Sequence, residues 1–218
     1  MVKELLKELK EKGVQLVAVS KTHPPAAILG VYELGQRAFG ENKAQELSAK
    51  QVALPQDIAW HFIGHLQTNK IKYIAPFVHL IHAVDSLKLL EAINKEAQRN
   101  NRIISCLLQI KIAQEESKYG LSYEEAEALL KDKTFSELEN IRIAGVMGMA
   151  TYTDDEAQIR SEFRTLKQYF DQLKRDFFFE DTAFCELSMG MSHDYRIAIE
   201  EGSTMVRIGS LIFGERVY

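Results

Sequence analysis

Short apolar runs alternate with longer stretches of helical period along almost the whole chain. The apolar runs predict strands over residues 15–19, 38–40, 59–63, 80–84, 104–110, 143–146, 183–187 and 205–208. The stretches between them predict helices over residues 25–34, 43–53, 67–73, 87–99, 123–132, 155–177 and 193–200. Capping signals support several helices: Ser86 and Ser122 stand at predicted N-termini. Thr153 with Asp154 and Asp155 opens a further helix, and Gly202 follows a predicted C-terminus.

Eight strand–helix units in 218 residues favour an α/β fold that consists of a single (β/α)8 barrel of the TIM type. A doubly wound open sheet shows the same alternation and remains an alternative, because the pattern does not reveal whether the sheet closes. Val2, Leu5, Leu6 and Leu9 share one helical face, which predicts an extra N-terminal helix lying on the barrel. No linker-like segment or change of composition divides the chain, so we expect one domain over residues 1–218.

Charge and cysteine usage narrow the classes of function. The chain has 27 basic and 31 acidic residues, a net charge of −4, which disfavours a nucleic-acid-binding surface. Its first residues, MVKELLKELKEKG, mix lysine and glutamate without a long apolar stretch, so we expect neither a signal peptide nor a membrane anchor. Cys106 and Cys185 lie in apolar runs, which predicts buried, reduced thiols and a cytoplasmic protein.

In a barrel of this type the chemistry lies at the C-terminal ends of the strands. The residues that follow the predicted strands are small or polar, and they include Ser20, Lys21, Glu41, Asn42, His65, Asp85, Lys111, Ser188, Ser192, Arg207, Gly209 and Ser210. His61 and His65 are four residues apart but lack the glutamate of the zinc-protease motif, and no cysteine has zinc-type spacing. We therefore expect no metal site.

The last two strands are followed by sequences that are typical of an anion site. In SMGMSHD, Gly190 permits a close backbone approach and Ser192 is expected to cap the following helix. VRIGS follows with Gly209, and barrels often bind phosphate with the loops after strands seven and eight. Arg207 would point from the eighth strand into the same mouth, where its charge needs a partner.

Lys21 ends the first strand, which lies beside the eighth strand if the barrel closes. A lysine near a second cation in a partly dry cavity has its neutral amine form favoured, and a neutral amine attacks aldehydes to form a Schiff base. Pyridoxal 5′-phosphate (PLP) combines an aldehyde with a phosphate and has a ring nitrogen that Arg207 could contact. A solvated lysine at the end of a strand is the alternative interpretation.

Five sequence blocks carry a resemblance to a known family: AVSKTHP, FGENKAQE, WHFIGHLQTNK, GVMGMAT and ELSMGMSHDYRIAIEEGSTMVRIGSLIFGER. From Val14 to Arg216 the chain resembles the pyridoxal-phosphate homeostasis protein family, which is related to the barrel domain of alanine racemase. The resemblance implies the fold type III barrel of PLP proteins. It also implies that Lys21 carries PLP as an internal aldimine and that Arg207 meets the pyridine nitrogen. Ser192, Gly209 and Ser210 would hold the phosphate, with Asn42 and Ser188 close by.

The resemblance further implies a protein that binds and buffers PLP, with apo PLP enzymes as candidate recipients, and without catalytic turnover. A PLP-dependent racemase is the alternative, but arginine opposes protonation of the ring nitrogen, and racemisation needs acid/base groups on both faces of the substrate. In related racemases the second group comes from an additional domain, which we do not expect in a chain that ends at Tyr218, and so we also expect a monomer. A cofactor-free aldolase that uses Lys111 is a third hypothesis.

Overall fold

Eight parallel strands close into a barrel in the order of the sequence, β1-β2-β3-β4-β5-β6-β7-β8. The structure is a computed structural model that describes residues 2–114 and 119–214. The predicted domain of residues 1–218, and with it Arg216 and Tyr218, therefore extends beyond the described residues. The strands are β1 Gln15–Val19, β2 Ala38–Glu41, β3 Ala59–Phe62, β4 Leu80–Val84, β5 Ile104–Gln109, β6 Ile141–Met147, β7 Glu186–Ser188 and β8 Met205–Ile208.

Helices connect the strands and surround the barrel. They are α1 Val2–Glu11, α2 Pro25–Tyr32, α3 Ala44–Ala53, α4 Leu87–Arg99, α5 Tyr123–Lys131, α6 Lys133–Ser136, α7 Glu156–Phe177, α8 Tyr195–Glu200 and α9 Ser210–Phe213. The helix predicted over residues 67–73 is a 3₁₀ helix, Thr68–Tyr73. The short helices α6 and α9 were not predicted, because four residues are too few to show a helical period.

Pairing between the first and last strands closes the sheet and excludes the open-sheet alternative. Strand β1 pairs in parallel with β2 on one side and with β8 on the other. In the β1–β8 ladder Val17 lies opposite Arg207, and Ala18 lies opposite Ile208. The (β/α)8 barrel is therefore confirmed, and the end of β1 is placed beside the end of β8.

The predicted seventh strand is displaced along the chain. The apolar run over residues 183–187 predicted a strand, but β7 starts only at Glu186. Phe184 is fully buried outside the barrel, where its ring stacks on Phe170 and Phe178. The apolar character of this run thus reflects packing of the helical layer, which a strand pattern cannot distinguish from packing of the sheet.

Gly145 allows β6 and β7 to approach closely. Its φ is +150°, and a Cβ built at this position would lie 1.8 Å from the carbonyl oxygen of Glu186. No side chain fits at that distance, so any larger residue would push the two strands apart.

The N-terminal helix α1 covers the outer side of the β1–β8 seam. Leu5 and Leu9 are buried in a cluster with Val14, Leu16 and Val206. This confirms the apolar face that the sequence predicted for the extra helix. The N-terminal caps of three helices are also as predicted, with a capping box at the start of α5 and side-chain caps on α4 and α7.

The two cysteines differ in their surroundings. Cys106 is buried, as predicted, and burial raises the pKa of its thiol. Cys185, in contrast, is exposed, so the prediction that both thiols lie in the core was wrong. Cys185 immediately precedes β7, and the late start of that strand leaves it outside the sheet. None of the described helices is long and apolar enough to cross a membrane.

The interior of the barrel combines apolar side chains with two buried histidines. Val17, Leu107 and Met147 belong to the apolar cluster that fills it. His61 and His82 have no exposed surface, and their ring centroids are 5.2 Å apart. Because water cannot reach these rings, their charged forms are disfavoured.

We expect the free energy of unfolding to fall as the pH is lowered from about 6.5 to about 3. Burial lowers the pKa of His61 from its ordinary value of 6.5 to about 3, and burial also lowers the pKa of His82. Within this window the unfolded chain binds protons that the folded chain does not, so acid favours unfolding. Each ring contributes up to about 1.4 kcal/mol per pH unit.

Urea unfolding at a series of pH values measures this effect, with His61→Asn as the comparison. The variant lacks one titrating ring but keeps all the carboxyl groups, so its stability should depend less steeply on pH. An identical dependence in both proteins would contradict the assignment.

Candidate functional site

A cavity of about 540 Å³ opens at the C-terminal ends of the strands. The described residues on its wall are Val19, Lys21, His23, Asn42, Ile63, Gly64, Met149, Met191, Ser192, His193, Arg207, Gly209, Ser210 and Gly214. The structure thus brings six of the seven residues predicted for the site to one cavity. The seventh, Ser188, is fully buried behind Arg207, where its side chain accepts a hydrogen bond from that residue.

A tight turn after β1 holds the backbone of Lys21. The amide N–H of His23 donates to the carbonyl oxygen of Ser20 at 3.1 Å, and Thr22 adopts a left-handed φ of +70°. Pro24 then precedes α2, and Pro25 is its first residue, where the fixed φ of proline favours helix initiation. The two prolines therefore fix the path of the chain directly after the lysine, which itself is half-buried on the cavity wall.

A buried ionic network holds this turn in place. The Nζ of Lys50 donates to the carbonyl oxygen of Ser20 at 2.9 Å, to Glu41 Oε1 at 2.8 Å and to Glu46 Oε1 at 2.7 Å. The Ser20 hydroxyl also donates to Glu41 Oε1, at 2.6 Å, and the Thr22 amide donates to Glu46 Oε1 at 2.8 Å. The network thus holds both residues that flank Lys21.

Burial dominates the electrostatics of this network at Glu41. It raises the pKa of the Glu41 carboxyl, whereas the hydrogen bonds from Lys50 and Ser20 act in the opposite direction. The Lys50 side chain is only 6% exposed and that of Glu41 is 0% exposed, so each ion depends on the other for its stability in the interior.

Arg207 is a buried cation whose hydrogen-bond partners among the described residues are all neutral. Its Nη1 donates to the carbonyl oxygen of Ser188 at 2.9 Å and to Ser188 Oγ at 2.7 Å, and its Nη2 donates to the carbonyl oxygen of Gly148 at 3.0 Å. Burial lowers the pKa of Arg207 to about 10, and the Asp194 carboxylate acts in the opposite direction. Arg207 still lines the cavity, so the guanidinium can reach a ligand there.

The loops after β7 and β8 form one side of the cavity. Gly190 has a φ of +97°, and a Cβ there would lie 2.6 Å from that of Ala198, so glycine is required. Beyond it, Ser192 Oγ accepts a hydrogen bond from the amide of Gly209 at 3.3 Å, which joins the two loops. Ser210 begins α9, so its amide N–H is not used within that helix.

Ser192 does not cap a helix, contrary to the prediction. Helix α8 begins at Tyr195, and Asp194 occupies the position before it. The Asp194 carboxylate accepts from the amide of Met191, so residues 191–194 form a turn that delays the helix. This turn directs Ser192 toward the loop after β8 instead.

Asn42 follows β2 and faces the cavity from the opposite side. Its Oδ1 is buried and has no hydrogen-bond partner among the described residues. A Cβ at Gly64 would lie 2.6 Å from the carbonyl oxygen of Asn42, so only glycine at position 64 permits this placement. The site therefore contains an acceptor that a bound ligand could satisfy.

Several residues of the site were missed at the level of sequence. Ile63, Met149 and Met191 supply an apolar wall, and their position directly after strands was the available signal. The Lys50 network was missed as well. Helix α3 buries Ala44, Leu47 and Lys50, and a lysine on this apolar spacing was the signal.

His61 and His65 lie in different surroundings. His61 is buried inside the barrel, whereas His65 lies near the rim, 3.5 Å from Asp85. Within the described ranges, no group of three or more histidine, cysteine, aspartate or glutamate side chains could hold a metal ion.

The fold and the site together define a class of protein. A profile of the family described as alanine racemase, N-terminal domain, matches residues 2–217. The barrel also superposes on the alanine racemase of Bartonella henselae with a TM-score of 0.68 and 16% identity, covering 100% of this chain and 60% of that chain. At such low identity this second likeness shows the fold alone.

More similar proteins identify the family within that class. A pyridoxal phosphate homeostasis protein of Aquifex aeolicus is 42% identical over 209 residues, which cover 95% of this chain and 90% of the relative. PipY of Synechococcus elongatus, a COG0325 family member whose structure is solved without PLP and with PLP bound, gives TM-scores of 0.89 and 0.85 at 36% and 35% identity. Both structures cover 98% of this chain and 100% of their own. The chain belongs to the pyridoxal phosphate homeostasis protein family, as its motifs indicated.

We expect Lys50→Met to destabilise the protein by about 3–5 kcal/mol, because it leaves the Glu41 carboxylate buried without its ionic partner. Adding Glu41→Gln should recover part of this loss, since the second change removes the stranded charge. Urea unfolding measures both effects.

Lys95→Met is the matched control, because Lys95 is an exposed lysine on helix α4. It should change the free energy of unfolding by less than about 0.5 kcal/mol. Equal losses in the Lys50 and Lys95 variants would show that the network does not stabilise the fold.

Proposed function

We propose that this chain binds PLP covalently through Lys21 and holds it in reserve, without catalytic turnover. The observation that carries the proposal is the composition of one cavity wall, where a lysine, a buried arginine and two loops with hydroxyl and glycine residues converge. The β1–β8 pairing supports it, because it places the strand of Lys21 directly beside the strand of Arg207.

The residues of the cavity fit the chemical groups of this cofactor. PLP supplies an aldehyde, which condenses with a lysine amine to form a C=N bond and release water. Ser192, Gly209 and Ser210 would hold the phosphate through hydroxyl groups and backbone amides. Asn42 Oδ1, which lacks a partner among the described residues, would accept from a donor on the ring.

Arg207 would face the pyridine nitrogen as a fixed cation. A positive charge opposes protonation of that nitrogen, and an unprotonated ring withdraws electrons from a bound amino acid less strongly. This supports the role of a carrier over that of an enzyme. The name of the relative from Aquifex aeolicus and the PLP-bound structure of PipY point in the same direction.

We further propose that the protein acts as a single domain and a monomer in the cytoplasm, and supplies PLP to apo PLP enzymes. The free thiols of Cys106 and Cys185 support a reducing compartment. The position of the cavity supports release, since it opens at the mouth of the barrel and described residues of this one chain line it.

One observation favours a racemase-like activity as the second candidate. His193 lines the same cavity as Lys21, and its Nε2 lies 3.2 Å from Asp194 Oδ2, so an imidazole stands beside a carboxylate at the site. Racemisation requires acid/base groups on both faces of the substrate α-carbon, and His193 would have to be the second of them.

We expect PLP, after reduction with borohydride, to be found on Lys21 by mass spectrometry of tryptic peptides. Lys21→Ala should abolish the adduct and the visible absorbance of the loaded protein, because no amine remains at this position. Lys111→Ala is the matched control, since Lys111 also follows a strand, is exposed, and is not among the described residues that line the cavity. A PLP adduct that persists in the Lys21 variant and disappears in the Lys111 variant would overturn the assignment. A substrate adduct on Lys111 in place of PLP would favour the cofactor-free aldolase.

We expect the loaded protein to exchange the α-hydrogen of L-alanine with D₂O at no more than a trace rate, well below the ordinary enzyme range of about 1–10³ s⁻¹. Proton NMR of the substrate measures the exchange, and chiral chromatography measures any D-alanine. Turnover in the enzyme range that is lost in His193→Ala would establish the second candidate instead.

A further inference from the structure

The barrel interior contains buried polar groups that the proposed function does not use. His61, His82 and Ser188 each have 0% of their surface exposed. They come from strands β3, β4 and β7, and they lie behind Arg207 as seen from the cavity. Buried polar groups of this kind are destabilising unless they are hydrogen-bonded, so their arrangement calls for a physical reason.

These groups form one continuous chain of hydrogen bonds. Arg207 Nη1 donates to Ser188 Oγ at 2.7 Å, Ser188 Oγ lies 3.1 Å from His82 Nδ1, and His82 Nε2 lies 2.9 Å from His61 Nδ1. The chain ends at His61 Nε2, which is buried and has no partner among the described residues.

The direction of the chain follows from counting its donors and acceptors. Suppose that the Ser188 hydroxyl donates to His82 Nδ1 and that His82 Nε2–H donates to His61 Nδ1. Every group is then paired except the Nε2–H of His61. In the reverse direction, His61 Nε2 lacks a donor and the Ser188 proton also lacks an acceptor among the contacts of the described residues. The first direction leaves fewer unmet groups and is favoured.

We propose that His82 and His61 are positioning residues that hold Arg207 in place for the cofactor through the hydroxyl of Ser188. This inference rests on the proposed function, because it assigns the purpose of the chain to the PLP site. A hydroxyl that donates to His82 is a stronger acceptor for Arg207, since linked hydrogen bonds polarise one another. The chain thus fixes a guanidinium firmly by means of neutral groups.

The neutral state of both rings is part of this arrangement. Burial lowers the pKa of His61 to about 3 and lowers that of His82 well below its ordinary value, and for His82 the charges of His61, Arg207 and His79 act in the same direction. A protonated His82 would donate at both nitrogens and could not accept the Ser188 proton. A carboxylate in place of the chain would also hold the arginine, but it would neutralise the charge that faces the ring nitrogen.

Nitrogen-15 NMR of the protein without added cofactor tests the chain directly. The expected result is that both rings stay neutral from pH 5 to 8, with the proton of His82 on Nε2 and its Nδ1 unprotonated. A proton on Nδ1 of His82, or titration of either ring in this range, would overturn the proposed direction.

A double-mutant cycle on PLP binding tests the positioning role. His82→Leu removes the acceptor and should weaken PLP binding by about tenfold, the scale of one hydrogen bond in a chain to a charged group. Ser188→Ala should weaken binding comparably, and adding His82→Leu to it should have no further effect, because His82 acts only through Ser188. Independent, multiplying losses would overturn the proposal.

Two further variants separate positioning from general damage to the barrel. His82→Asn places a side-chain oxygen near the former Nδ1 and should restore most of the affinity. Met147→Leu alters the apolar interior but changes none of the side chains in the hydrogen-bonded chain, and it should leave the affinity unchanged. Loss of affinity in Met147→Leu equal to that in His82→Leu would show that the effect is only structural.

The outcome for the unmutated protein distinguishes the two proposals. If it carries no PLP on Lys21 after reduction, the proposed function fails. If the unmutated protein carries PLP on Lys21 and the His82→Leu variant binds PLP equally tightly, only the positioning role fails.

Discussion

The parallel pairing of β1 with β8 is the constraint on which the rest of the structure depends. It joins residues that are almost two hundred positions apart and places Val17 opposite Arg207. Closure brings the turn that carries Lys21 beside the loops that carry Ser192 and Gly209. It also encloses the interior, where Arg207 loses contact with bulk water and depends on fixed neighbours. If the sheet kept this strand order but stayed open, β1 and β8 would be its two edges, and the lysine and the arginine would lie far apart.

The barrel contains two buried polar networks, and they hold their cations in different ways. At β1 and α3 opposite charges meet directly, with Lys50 held between Glu41 and Glu46. At β7 and β8 the cation donates its hydrogen bonds to one hydroxyl and two carbonyl groups. The first arrangement fixes the backbone beside Lys21 through an ion pair. The second leaves Arg207 without a carboxylate among its hydrogen-bond partners in the described part of the chain, so its charge is available to a ligand.

That difference bears on the balance between carrying a cofactor and using it. A fixed positive charge near a pyridine nitrogen keeps the nitrogen unprotonated and limits the electron withdrawal on which amino-acid chemistry depends. In the proposed arrangement, the barrel would bind the cofactor without this electrostatic support for turnover. Among the described residues, His193 with Asp194 beside it is the feature that favours a catalytic role over a carrier role.

The sequence by itself determined the strand–helix alternation, the N-terminal helix, the family and the residues that follow each strand, because local periods and motifs carry this information. It also indicated Lys21, Arg207 and the two glycine loops as a group. Only the tertiary structure decided that the sheet closes, that Phe184 packs outside the barrel, that Cys185 is exposed, and that Asp194 rather than Ser192 precedes α8. It alone joined Lys50 to Glu41 and His61 to Ser188 through His82. Such contacts link distant strands, and their partners depend on the register and closure of the barrel, which no local pattern specifies.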